Sequence, residues 1–143
     1  MQSGHQIWRA SERSDNFLFA TRDRLITGWR GALGTTAETL AINSPASATY
    51  TGLAIATNVL GNTYLYAASL RSGAIDVFKG TSGQPALTGN FTDPNRPAGY
   101  APFNIQPLSG QLYVTYAQQD AAKFSPVAAA MALSIFSRSM ATW

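Results

Sequence analysis

Three short stretches decide the fold: Phe17-Leu18-Phe19-Ala20-Thr21, Tyr64-Leu65-Tyr66-Ala67-Ala68 and Gln111-Leu112-Tyr113-Val114-Thr115. A leucine followed by an aromatic residue recurs at 18/19, 65/66 and 112/113, and both intervals are 47 residues. Each stretch is rich in aromatic and small apolar residues, which suits a buried strand. A fixed period of this size marks a repeat architecture.

Further strands are expected around each stretch. Gly52-Leu53-Ala54-Ile55-Ala56 precedes the second and Pro102-Phe103-Asn104-Ile105-Gln106 precedes the third. Gly4-His5-Gln6-Ile7-Trp8 is a weak first copy of the same element. Arg24–Trp29 follows the first stretch. Gly73-Ala74-Ile75-Asp76-Val77-Phe78 follows the second and alternates small or polar with apolar residues, the pattern of a strand with unlike faces. Gly80-Thr81-Ser82-Gly83 has turn chemistry, and Pro85-Ala86-Leu87-Thr88 reads as a short outer strand at an edge, where proline is tolerated. Four short antiparallel strands in about 40–50 residues describe a propeller blade. The expectation is therefore an all-β partial β-propeller of about three four-stranded blades. Blades run at 1–48, 49–97 and an incomplete 98–123. A β-sandwich is the competing reading, and the equal spacing argues against it.

The segments Gly52–Ile55, Leu65–Ala68 and Ile75–Phe78 resemble the NHL-type blade pattern. Phe91-Thr92-Asp93-Pro94-Asn95-Arg96-Pro97-Ala98-Gly99-Tyr100-Ala101-Pro102-Phe103-Asn104-Ile105-Gln106, continued by Leu112–Asp120, resembles an uncharacterised bacterial family of exported propeller-like proteins. The resemblance covers residues 16–123 and is most specific over 91–120. It implies longer relatives, many of them carrying an export signal. It implies no catalytic residues, because no activity is established for that family. Arg96 stands where the family has an apolar residue, and Ser69 where the blade pattern has Asp.

The tail over 124–143 reads differently. Ser125 can cap a helix, Pro126 suits its first position, and an Ala/Met/Leu body runs to Phe136. Read in the neighbouring frame, permitted codons for this stretch can instead encode a Phe-Val-Asn-Ile-Phe strand and an Asp-Gly turn, the elements a third blade lacks. A frameshifted or truncated product, foreign from about Ala128, is the expectation that follows. A genuine helix covering a sheet edge is the alternative.

Composition narrows the chemistry. The 143 residues suffice for one small domain, and 45% hydrophobic against 12% charged residues excludes an intrinsically disordered chain. With no cysteine, thiolate metal sites and disulfides have no material, and with His5 near the N-terminus as the single histidine, a Ser-His-Asp triad is not expected. The net charge of +3 comes with acids interleaved among the N-terminal arginines, so nucleic acid is not an expected partner. No stretch reaches the roughly 20 apolar residues of a membrane span, and no secretory signal pattern opens the sequence. The compartment of this chain is not legible, whereas the family resemblance implies export.

The functional expectation is a non-enzymatic binding or scaffold module. The loop Asn90–Pro102 is the best binding candidate, with Asp93, Tyr100, Asn104 and Tyr116 as ligand-binding residues; a rigid connector is the blander reading of the same loop. No cofactor and no metal are expected. The alternative is a lactonase-like hydrolase with calcium held by oxygens such as those of Asn58, Asp93, Asn104 and Asp120, which no spacing brings together. Partners are not readable, apart from self-association through exposed blade faces.

Overall fold

The computed structural model describes residues 15–42, 48–81, 83–87, 91, 93–125 and, for the backbone alone, 136–139. The fold is all-β. Among the described residues, nine strands form three separate antiparallel sheets in chain order. The first holds β1 (Phe17–Ala20), β2 (Leu25–Trp29) and β3 (Glu38–Ile42). The second holds β4 (Tyr50–Thr57), β5 (Thr63–Ser69) and β6 (Ile75–Lys79). The third holds β7 (Tyr100–Leu108), β8 (Gln111–Gln118) and β9 (Phe136–Ser139). Among the described residues, no helix is long and apolar enough to cross a membrane, which says nothing of a β-barrel.

Turn chemistry fixes each hairpin. Ser109 and Gly110 both have positive φ, the requirement of the two-residue turn joining β7 to β8. The longer hairpins end on one left-handed residue each: Arg24, Gly61 and Gly73. Glycine takes that conformation without steric cost; Arg24 does not.

The sheets pack in series, with the second in the middle. β5 shows why. Its Tyr64, Tyr66 and Ala68 join Ala54, Ala56 and Ile75 on one face, against Ile105, Leu112, Val114 and Tyr116 of the third sheet. Its Leu65 and Ala67 join Phe78 on the other face, against Ile26 and Ala41 of the first sheet. Successive strand residues alternate between faces, so a strand buried on both sides must be apolar throughout. β5 meets this demand from Tyr64 to Ala68, and its buried last residue, Ser69, accepts from the Thr49 N–H through Oγ at 3.1 Å. Among the described residues, β1 and β8 face a neighbour on one side only, and their burial alternates accordingly. Prolines 102 and 107 fit because β7 is an edge strand, where a missing N–H costs no ladder bond.

Four expectations change. The described residues give each sheet three strands, not four. Pro85–Leu87 is not a strand, because its environment is side-chain bonding: Tyr64 Oη donates to the Pro85 carbonyl at 2.9 Å, and Gln84 Nε2 donates to the Thr63 carbonyl at 2.7 Å. The expected C-terminal helix ends wrongly, since Phe136 opens β9 and pairs with Val114 of β8; the remainder of that expected helix, 126–135, lies outside the described residues, as does Gly4–Trp8. Finally, the 47-residue repeat is structural only between the second and third sheets. Leu65 and Leu112 lie on central strands, and both face the preceding sheet. Leu18 lies on an edge strand and faces the following sheet. A shift of one residue turns every side chain of a strand over, so sequence similarity at 18/19 coexists with inverted faces.

Candidate functional site

The loop between the second and third sheets is built by Asp93. Its Oδ1 accepts from the Asn95 N–H at 2.8 Å and its carbonyl accepts from the Arg96 N–H at 3.2 Å, with Pro94 pre-set for the turn. The turn aims Arg96 at the β5–β6 hairpin, where Nη1 donates to the Gly73 carbonyl at 2.9 Å. Gln119 grips the same hairpin from the third sheet, its Nε2 donating to the Leu70 carbonyl at 2.6 Å. Phe91 anchors the loop from below, packed edge-on against Tyr66 at 5.8 Å. Arg96 is thus a clasp between two sheets.

The four expected site residues divide. Asp93 and Tyr116 come together. Both are buried, at 7% and 1% exposure, and Asp93 and Arg96 both act on the phenol. Burial holds Tyr116 above the ordinary tyrosine range, against a smaller lowering by the Asp93 backbone. Tyr100 is half-buried and packs on the same core. Asn104 sits apart, against β4. A Cβ built on Gly52 would fall 2.7 Å from Asn104 Cα, so the two edge strands touch backbone to backbone there.

Two of the oxygens named for the calcium alternative are engaged locally. Asn58 Oδ1 accepts from the N–H groups of Leu60 and Asn62 at 3.1 and 3.0 Å. Asp120 Oδ1 accepts from the Phe124 N–H at 2.9 Å. Among the described residues, no group of three His, Cys, Asp or Glu side chains converges.

Sequence reasoning missed two polar contacts. Asp76 lies on the face of β6 turned to the first sheet and accepts from Tyr50 Oη at 2.8 Å. No local pattern links residues from different strands. Arg30 lies between Asp15, at 2.9 Å, and Glu38. The Glu38 and Asp15 carboxylates raise its pKa, in that order. The Asp15 carboxylate, 2% exposed, rests over Gly28, where any Cβ would collide with it. The interleaving of acids with the N-terminal arginines was the available signal.

One open groove lies between the first and second sheets. Leu18, Phe19 and Ala20 of β1 form one wall; Thr51, Gly52 and Leu53 of β4 form the other, around about 230 Å³. No family model, no curated protein and no solved structure matches the chain.

Proposed function

We propose that this chain is a β-propeller-type binding or scaffold protein whose three sheets act as successive blades, without catalytic chemistry of its own. The observation that carries this reading is the serial packing of the sheets, with edge strands β4 and β7 touching at Gly52 and Asn104. Blades arranged about an axis bring their first strands together in this way. The engagement of Asp93, Arg96 and Gln119 in clasping two sheets favours positioning over turnover. On this reading the resemblance to exported propeller-like proteins and the tendency to self-associate belong together, since incomplete sets of repeats leave apolar faces to be covered.

The test combines structure and chemistry on the purified full chain. Electron microscopy of its assembled form should show a ring of sheets about a channel, and a lactone panel with and without calcium should give no turnover above buffer. Calcium-dependent hydrolysis would replace the binding reading with the lactonase-like one. A well-folded, isolated monomer with no ring would remove the propeller.

A further inference from the structure

Turns belonging to the three sheets meet at one end of the molecule. The Arg22 guanidinium, in the β1–β2 turn, donates through Nη2 to the Phe124 carbonyl and to Ser125 Oγ, the latter at 3.0 Å. The Arg71 guanidinium, in the β5–β6 turn, lies 4.2 Å from the centre of the Phe124 ring. Phe124 belongs to a turn that follows β8 and closes on itself. There the Asp120 N–H donates to the Ser125 carbonyl at 2.9 Å, and the Lys123 N–H donates to the Asp120 carbonyl at 3.0 Å. Two guanidinium groups from different sheets thus converge on one exposed aromatic residue. Arg24 and Lys123 share these turns, and both have positive φ, at 72° and 59°. Among the described residues, Ser109 is the one other non-glycine residue in that conformation. A side chain is strained there where glycine is not, and such strain gathers where ligands are held.

We propose that this end of the molecule binds a short acidic peptide segment of a partner protein, whose carboxylates pair with Arg22, Arg24, Arg71 and Lys123. Three of these four cations are arginines, whose planar fork meets a carboxylate with two parallel hydrogen bonds. Arginine clusters are a recurring means of recognising acidic peptides. The acids at this end choose among anions. Asp93 is buried and turned to the Asn95 N–H, and Asp120 is turned to the Phe124 N–H, but Asp23 is exposed between Arg22 and Arg24. A nucleic acid, charged at every unit, meets Asp23 with like charge; a peptide can set an uncharged residue opposite it. Phe124, 42% exposed, adds apolar surface for a peptide side chain to cover. A second copy of this chain has less to offer, because Asp15 and Glu38 at the opposite end are already paired with Arg30. The inference adds a partner to the binding reading, and it stands on these residues whether or not the sheets close into a propeller.

The probe is a fluorescein-labelled synthetic peptide that alternates Glu with Gly and carries a central Phe, titrated with the full chain and read by anisotropy. Saturable binding that weakens as salt rises is expected, and none for the same peptide with Gln in place of Glu. Arg22→Gln and Arg71→Gln are each expected to weaken binding about tenfold, the loss of one charge-assisted pair. Arg24→Gly and Lys123→Gly separate binding from folding, since each relieves a left-handed side chain. In both, the melting temperature is expected to rise while the peptide binds several-fold more weakly. Absent binding of the Glu peptide, or binding unchanged in these two glycine variants, would overturn the proposal. Tighter binding of single-stranded DNA carrying the same number of charges would assign the cluster to nucleic acid and overturn it as well.

Discussion

Phe19 and Tyr66 stand 47 residues apart, in stretches that look alike, and meet opposite fates. Tyr66 is 1% exposed and wedged between the second and third sheets; Phe19 is 49% exposed on the outer face of the first. Phe17 and Tyr64 repeat the contrast, at 57% and 0%. Nothing in the four side chains themselves explains it. Position in the stack does: among the described residues, the second sheet has a neighbour on each face and the first has one. Burial of an aromatic residue is thus a property of the sheet's place in the series, and the same short sequence contributes a core in one place and an apolar surface in the other.

The largest expected effect breaks this comparison most directly. Tyr66→Ala should cost about 3–5 kcal/mol, the usual range for deleting a buried aromatic ring, and Phe19→Ala about 0.5 kcal/mol or less. Urea unfolding of the two variants measures both. Equal losses would mean that Phe19 is covered and that the first sheet is not open.

Alkaline pH sharpens the contrast. Burial first, and Tyr64 second, raise the Tyr66 pKa above its ordinary value of 10.0. The unfolded chain then releases this proton at a lower pH than the folded chain. Above about pH 10 the folded state holds more protons, so stability falls as pH rises. Thermal unfolding between pH 9 and 11 should show this fall in the unmodified chain and a shallower one in Tyr66→Phe. Phe19→Tyr, on the open face, should not steepen it.

Backbone contact distinguishes the junction of the second and third sheets from an open turn. Gly52→Val places side-chain atoms against Asn104 Cα, a collision expected to cost about 1–3 kcal/mol. Gly83→Ala meets nothing within 4 Å and should stay within about 0.5 kcal/mol of the unmodified chain. Chemical denaturation of both variants gives the difference.

The smallest effect compares hairpins. The left-handed position is glycine at 61 and 73 in the second sheet but Arg24 in the first. Arg24→Gly should gain about 1 kcal/mol by removing a Cβ clash, and Gly73→Ala should lose a similar amount. Melting temperatures moving in opposite directions would bear this out.

The legibility of the fold follows the same division. β4, β5, β6, β7 and β8 stand where alternation, aromatic content and turn residues place them, because in the second and third sheets local pattern and tertiary position agree. β3 at Glu38–Ile42 carries no such pattern, having a single buried residue, Ala41. The outer strand expected at Pro85 fails because side chains of Tyr64 and Gln84 occupy the neighbouring carbonyls. The pattern at Ser125–Phe136 suits a helix, but pairing with β8 draws its last residue into a strand, a tertiary override of propensity. For the site, the Asp93 turn was readable from Asp-Pro alone. The meeting of Asp93 with Tyr116 was not, nor was the clasp of Arg96 on Gly73, because both depend on how one sheet lies on the next.

Native-state hydrogen exchange tests the central claim most directly. If the second sheet is the middle of the series, the amides of Tyr64–Ala68 exchange slowest in the molecule, through global unfolding, and Phe19 exchanges faster through local opening of the first sheet. Exchange at Phe19 as slow as at Tyr66, under the same conditions, would contradict a stack in which only the second sheet is covered on both faces.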